Sequence, residues 1–116
     1  MKVIIAGSRN CLDYELLCEA IKESKFEITE VVSGCAAGAD TMGIRWAVEN
    51  KIPVKKFPAE WSKYGKQAGM IRNREMAWYG DALIAIHLSG SRGTADMIRV
   101  AKKQGLKRYV KEMKIS

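Results

Sequence analysis

The chain contains few residues of the kinds that build metal or redox sites. Among its 116 residues are three cysteines and one histidine. None of the cysteines stands in the close pairs that are typical of zinc sites and dithiol redox motifs, so we expect reduced thiols. His87 stands inside an apolar run, where a packed imidazole is more common than a catalytic one. The sequence therefore predicts no metal and no cofactor.

Long hydrophobic runs are also missing. No apolar stretch approaches the roughly 20 residues that a membrane-spanning helix needs. The N-terminal run from Met1 to Ala6 becomes glycine-rich too early for a signal peptide. With 47% hydrophobic and 28% charged residues, the composition is typical of a globular protein. We expect one domain, residues 1–116, in the cytoplasm and without a membrane partner.

Positive charge exceeds negative charge along the chain. Twenty lysines and arginines against 13 aspartates and glutamates give a net charge of +7. Such an excess attracts polyanions and phosphorylated small molecules. Many of the lysines lie near the C-terminus, on an expected solvent-facing helix side and an expected edge strand, where they discourage edge-to-edge aggregation. Nucleic-acid binding is therefore compatible with the charge but not required by it.

Strand and helix patterns alternate from one end of the chain to the other. Apolar or β-branched runs predict five strands, and apolar residues at helical spacing predict four helices. Residues 58–66 form the least regular part, an expected loop. The alternation predicts an α/β fold, a doubly wound and mostly parallel five-stranded sheet with helices on both faces. The expected strands are 2–6, 28–32, 53–57, 82–88 and 108–112, and the expected helices are about 12–24, 40–50, 67–79 and 92–104.

Loops rich in glycine and small residues follow three of the expected strands. In a parallel sheet the carboxyl ends of the strands lie at one side, where ligands bind. A glycine lets the backbone approach a ligand closely, and the N–H groups at a following helix N-terminus bind anions. The loop that begins at Ser89, taken alone, is as well explained by an ordinary strand-to-helix turn capped by Ser91 or Thr94. The three loops are Gly7–Arg9, Ser33–Asp40 and Ser89–Thr94.

Five short motifs follow one another with a distinctive spacing. They are Gly7-Ser8-Arg9, Ser33-Gly34 with Ala37-Gly38-Ala39-Asp40, Phe57-Pro58-Ala59-Glu60-Trp61 with Tyr64-Gly65-Lys66, Arg72-Asn73-Arg74-Glu75-Met76, and Gly90-Ser91-Arg92-Gly93-Thr94. The combination resembles the YspA/YpsA-related branch of the SLOG superfamily over nearly the whole chain. The resemblance implies a Rossmann-like fold that binds nucleotides or their derivatives. Relatives include the LOG phosphoribohydrolases, the DNA-processing protein A family and sensor domains of bacterial immune effectors.

The chain departs from the LOG enzymes at their catalytic position. Their loop reads Pro-Gly-Gly-x-Gly-Thr-x-x-Glu, and the glutamate assists cleavage of an N-glycosidic bond. Met97 stands at that position here, and a thioether can neither act as a base nor stabilise an oxocarbenium ion. Asp96, one residue earlier, would point about 100° away around a helix. Glu75 and Asp96 are therefore the catalytic candidates of an enzyme alternative only.

Arginines are the expected anion ligands. Arg72 and Arg74 stand two apart in a helix and face different directions, and Arg72 is the one that matches the family motif. Arg9 and Arg92 belong to the strand-end loops. The full set of expected ligand-binding residues is Gly7, Ser8, Arg9, Ser33, Gly34, Gly38, Asp40, Arg72, Asn73, Ser89, Gly90, Ser91, Arg92, Gly93 and Thr94.

Three side chains keep two interpretations each. Asp40 either hydrogen-bonds ribose hydroxyls or caps the helix that it precedes. Trp61 and Tyr64 either stack on a base or close the hydrophobic core beneath their loop. Trp46 and Trp78 show no pattern beyond packing.

The sequence favours binding of a nucleotide or nucleotide-derived phosphorylated ligand at the carboxyl edge of the sheet, by a sensor or sequestering protein. One alternative is a nucleosidase or nucleoside-monophosphate phosphoribohydrolase. A second is single-stranded nucleic-acid binding, as in the distant DNA-processing relatives. A homo-oligomer is expected, because SLOG relatives commonly dimerise.

Overall fold

Strands and helices alternate along the chain in the computed structural model, which describes residues 1–8, 13–35, 39–88 and 92–113. The elements are β1 (Lys2–Gly7), α1 (Tyr14–Ser24), β2 (Glu30–Ser33), α2 (Ala39–Glu49), β3 (Val54–Lys56), α3 (Trp61–Tyr64), a 3-10 turn (Gly65–Gln67), α4 (Ala68–Tyr79), β4 (Ala82–Leu88), α5 (Arg92–Lys103) and β5 (Lys107–Met113).

The strands form one parallel sheet in the order β3-β2-β1-β4-β5. β1 lies at the centre, with Val3 opposite Val31 of β2 on one side and opposite Ala82 of β4 on the other. The chain thus builds outward from β1 to β3 and then returns across the sheet to β4 and β5. The predicted α/β fold is confirmed, with a five-stranded sheet that is parallel throughout.

Each face of the sheet carries its own hydrophobic core. Val3 and Ile5 of β1 pack toward the side of α1 and α2, which contribute Leu17 and Ala47 among others. Their neighbours Ile4 and Ala6 pack toward the other side, with buried residues of α4 and α5. Successive side chains of a strand point to opposite faces, so an unbroken apolar run such as that of β1 serves both cores.

Most element boundaries differ from the expected ones by one or two residues, and two differences have a local physical reason. Helix α1 begins at Tyr14 because Asp13 is its N-cap, and the Asp13 carboxylate accepts a hydrogen bond from the Leu16 amide at 3.1 Å. Part of the expected loop 58–66 is helical, since α3 and the 3-10 turn precede α4. These are single turns without a buried side chain, so no hydrophobic periodicity signals them.

Some apolar residues of the helices lie at the surface rather than in the core. Val48 of α2 is 69% exposed, and Trp78 of α4 is 82% exposed. Trp46, by contrast, packs against the core on the side of α1 and α2. A helix buries only a stripe of its surface, and residues 46 and 48 stand about 200° apart around α2, so only one of them can face the sheet.

A pair of helical glycines offers a matched test of the packing. A Cβ on Gly43 of α2 would lie 2.8 Å from Cγ2 of the buried Ile5, whereas a Cβ on Gly93 of α5 would meet nothing within 4 Å. We expect Gly43→Ala to lower the free energy of unfolding by about 1–3 kcal/mol through overpacking. Gly93→Ala should raise it by up to about 1 kcal/mol through helix propensity. Urea denaturation measures both, and equal effects would contradict the close approach of α2 to β1.

A charged cluster joins β5 to α1 and has a predictable pH dependence. The Glu23 carboxylate accepts hydrogen bonds from Lys111 at 2.8 Å and Tyr109 at 2.6 Å, and these bonds, that of Lys111 first, lower the pKa of Glu23. Since the folded pKa is the lower one, the stabilisation is present above the unfolded pKa of about 4.3 and lost as the pH falls through the folded pKa.

We therefore expect Glu23→Gln to destabilise the protein at pH 7 and the difference from wild type to shrink below about pH 4. Denaturation at both pH values measures this. Glu27→Gln is the control, because Glu27 is exposed and its side chain forms no ion pair within the described residues. A difference for Glu23→Gln that stays constant with pH would contradict the role of the carboxylate charge.

Candidate functional site

The carboxyl ends of β2, β1 and β4 lie side by side at one edge of the sheet. The connection from β1 leads toward β2, whereas β4 adds to the opposite side of β1, so the strand order reverses between β1 and β4. In parallel α/β sheets such a reversal leaves a crevice beyond the strand ends. We call this region the carboxyl edge.

Gly7 closes the central strand at this edge. A Cβ there would lie 2.5 Å from the Ala39 Cβ and 2.8 Å from the Ile86 carbonyl oxygen, so β1, β4 and α2 meet at a point with no room for a side chain. The amide of the buried Ser8 then donates to the Ile86 carbonyl at 3.2 Å, which holds the chain against β4 as it leaves the sheet. Gly7 is therefore required for packing, and any contact with a ligand would be an additional role.

Ser33 organises the turn that follows β2. Its buried hydroxyl donates to the Asp40 carbonyl at 3.4 Å and accepts from the Cys35 amide at 3.1 Å. Cys35 has a left-handed backbone, with φ of 61°. Asp40 is buried and lies inside the first turn of α2, which already includes Ala39. Ser33 thereby ties the end of β2 to the start of α2.

Arg72 links helix α4 to the same strand end. Its Nη1 donates to the Gly34 carbonyl at 2.7 Å, and its Nε donates to Oδ1 of Asn73 at 3.1 Å. A Cβ on Gly34 would lie 2.6 Å from Nη1, so the absence of a side chain lets the guanidinium reach the backbone. Arg74 is exposed, in agreement with the expectation that the two arginines face different directions.

Asn73 carries the connection onward to α5. Its buried carboxamide donates from Nδ2 to Asp96 Oδ2 at 2.9 Å and to the Gly93 carbonyl at 3.4 Å. The other Asp96 oxygen accepts from Arg99 Nη2 at 2.6 Å. Arg72, Asn73, Asp96 and Arg99 form one hydrogen-bonded series, which we call the edge network. It joins the end of β2, helix α4 and the first turns of α5.

The start of α5 presents a different surface. Arg92 and Gly93 are exposed, Thr94 is buried, and nothing lies within 4 Å of the position of a Cβ on Gly93. The first N–H groups of a helix have no partner inside the helix and carry partial positive charge. Together with the Arg92 guanidinium, they make this end of α5 favourable for an anion.

Aromatic side chains lie on α3, just beyond the end of β3. Trp61 and Tyr64 are 54% and 38% exposed, so neither closes the core beneath its segment. The Trp61 Cη2 lies 3.5 Å from the position of a Cβ on Gly69 in α4, and the Arg72 Nη2 lies 3.9 Å from the same position. The hydrogen bond with Tyr64 is the main cause that raises the pKa of Lys63 above its ordinary value.

The two catalytic candidates occupy different surroundings. Both carboxylate oxygens of Asp96 are engaged by the edge network, and Met97 is buried in the core. Glu75 is exposed and stands about 200° around α4 from Asn73. Within the described residues, no group of three or more histidines, cysteines, aspartates or glutamates could hold a metal ion. Nor is any helix in these ranges both long and apolar enough to cross a membrane.

The structure brings together part of the expected set of ligand-binding residues. Arg72 and Asn73 contact Gly34 and Gly93, while Gly7, Ser8, Ser33 and Asp40 lie at the neighbouring strand ends. Sequence reasoning missed Arg99, although its spacing of three residues from Asp96 is the usual one for a helical ion pair. The expected residues Arg9, Gly38, Ser89, Gly90 and Ser91 lie outside the described residues.

Comparison with known proteins agrees with this architecture. The model of a family described as YspA, cpYpsA-related SLOG matches residues 1–64, from β1 to α3. The chain is also 34% identical over 115 residues to the Gene 61 protein of Mycobacterium phage D29, which covers 90% of this chain and 91% of the phage protein. No solved structure gives a significant match. On the family match and on a fold of parallel strands with helices on both faces, the chain belongs to the YspA, cpYpsA-related SLOG family.

Proposed function

We propose that this protein binds a nucleotide or nucleotide-derived phosphorylated ligand at the carboxyl edge, as a sensor or sequestering protein. The observation that carries the proposal is the exposed start of α5, with Arg92 and the open surface at Gly93, beside the point where the strand order reverses. Membership of a SLOG family supports a ligand-binding role for this edge.

The charge distribution at the edge supports an anionic ligand. Arg72 and Arg92 contribute two guanidinium groups, which match the geometry of phosphate oxygens. The nearby negative charge of Asp96 is compensated by Arg99 and by the Asn73 amide. The surface around the start of α5 therefore keeps an excess of positive charge.

The same contacts favour binding without turnover over the nucleosidase alternative. A general base needs an oxygen that can reach the substrate. Asp96 uses both oxygens within the protein, and Glu75 stands on another side of its helix from Asn73. Because the Asp96 carboxylate is already engaged by Asn73 and Arg99 and Glu75 lies on another side of α4, we propose no catalytic residue.

A pair of variants on one helix tests the proposed phosphate site. Arg92 lies at the first turn of α5 and Lys103 at its last, and both side chains are exposed. We expect Arg92→Gln to weaken binding of a phosphorylated ligand about tenfold or more, because a charge-assisted hydrogen bond is lost. Lys103→Gln removes the same charge at the opposite end of the helix and should have little effect.

Thermal shift and calorimetric titration with nucleoside mono-, di- and triphosphates, ADP-ribose and short oligonucleotides measure these effects. No binding by any mononucleotide or ADP-ribose, or an equal loss in both variants, would contradict the proposal. Binding of oligonucleotides alone, with a steep dependence on salt, would favour the single-strand alternative instead.

We also propose that the protein forms a homo-oligomer through α4. Met70 and Trp78 are 43% and 82% exposed and stand two turns apart on this helix, and exposed apolar surface of this kind marks interaction sites. Trp78→Glu should shift the protein toward monomer in sedimentation velocity. Val48→Glu is the control, because it alters an exposed apolar residue of α2 on the other face of the sheet. A wild-type protein that sediments as a monomer at all concentrations would contradict this proposal.

A further inference from the structure

Trp61 is an exposed aromatic side chain at the carboxyl edge. It follows the end of β3 and belongs to a single helical turn without buried residues. Trp78, which is also exposed, lies two residues before Gly80 at the other end of α4, where the chain enters β4 at the amino edge of the sheet. Of these two exposed indoles, only Trp61 stands near the strand ends where the proposed ligand binds.

The face of the Trp61 indole is not covered by a lysine, unlike the faces of two other aromatic rings nearby within the described residues. Lys63 lies over the Tyr64 ring at 5.1 Å, and Lys55 lies over the Phe57 ring at 5.8 Å. Within the described residues, no lysine or arginine occupies such a position over Trp61. Its half-exposed indole therefore has surface on which a planar group can stack.

Arg72 stands next to this indole and is held in a fixed orientation. The Trp61 Cη2 and the Arg72 Nη2 both lie within 4 Å of the position that a Cβ on Gly69 would take. Hydrogen bonds from Nε and Nη1 lock the guanidinium against Asn73 and Gly34. The edge network then leads from Arg72 through Asn73 to the Gly93 carbonyl at the start of α5. An aromatic plane, an oriented cation and a helix start follow one another along the edge.

We infer that Trp61 stacks on the nucleobase of a ligand whose phosphate binds at the start of α5. A nucleotide carries its base at one end and its phosphate at the other, and the edge carries the indole at one end, with the Arg72 guanidinium and the helix start beyond it. Stacking on an aromatic side chain tolerates different bases, because every base has a π-face. Trp61 thus selects ligands with a base over sugar phosphates without one. This inference rests on the proposed function and adds the chemical class of the ligand.

The test compares the four common nucleoside 5′-monophosphates with ribose 5-phosphate. For wild type, we expect at least one nucleotide to bind about 5- to 150-fold more tightly than ribose 5-phosphate, which is the range for one stacked base. Trp61→Ala should bring nucleotide affinity down to that of ribose 5-phosphate, and Trp61→Phe should retain part of the difference. Val48→Ala removes an exposed apolar side chain of α2, on the other face of the sheet, and should leave the difference intact.

Fluorescence gives an independent measurement. In a Trp46→Phe/Trp78→Phe background Trp61 is the remaining indole, and the preferred nucleotide should quench its emission while ribose 5-phosphate should not. Equal affinities for nucleotides and ribose 5-phosphate, or a Trp61→Ala variant with wild-type nucleotide affinity, would overturn the role of Trp61. If ribose 5-phosphate still binds and Arg92→Gln weakens it, the proposed phosphate site survives that failure. If the wild type binds none of these compounds, both the role of Trp61 and the proposed phosphate site are overturned.

Discussion

The parallel pairing of β1 with β4 is the interaction on which the rest of the architecture depends. Five residues of each strand stand in register, from Val3 opposite Ala82 to Gly7 opposite Ile86. This pairing joins the half of the sheet built by β1, β2 and β3 to the half built by β4 and β5. It also creates the reversal of strand order beyond which the candidate site lies. Gly7 marks its end, where the strands and α2 come too close for a side chain.

Polar contacts, in addition to the packing at Gly7, join the elements around the carboxyl edge. Arg72 reaches a backbone carbonyl of the turn after β2, and Asn73 reaches both Asp96 and the backbone of α5. A buried carboxamide whose oxygen and nitrogen are both hydrogen-bonded stabilises one arrangement of its neighbours, because an alternative arrangement would leave polar groups unpaired. The edge network therefore fixes how α4 and α5 stand relative to the strand ends. Residues that resemble a family binding motif here also serve as structural connectors.

The fold was predictable because its determinants are local. The apolar runs of β1 and β4 and the helical spacing of α1 and α5 each specify one element, and their alternation then specifies a parallel sheet. The short turn α3 escaped prediction because it buries no side chain and so leaves no periodic pattern. The exposure of Trp78 escaped because residue type alone does not tell which side of a helix meets the sheet.

The site was predictable only in part. A parallel sheet dictates that strand-end loops share an edge, so the neighbourhood of Gly7, Ser33 and Gly93 follows from the order of elements. The contact of Arg72 with the Gly34 carbonyl joins residues 38 positions apart, and no local pattern specifies it. The neutralisation of Asp96 by Asn73 and Arg99 likewise depends on how two helices pack.

The ion pair between Asp96 and Arg99 affects the rate at which an anionic ligand would associate as well as its affinity. An uncompensated carboxylate near the start of α5 would repel an approaching phosphate over a distance comparable to the Debye length, about 8 Å at physiological ionic strength. With that charge compensated, Arg92 and the start of α5 would attract the proposed anionic ligand, and attraction of this kind raises association rates. Capture of a scarce phosphorylated compound at this edge would thus be rapid in dilute salt and slower as added electrolyte screens the field.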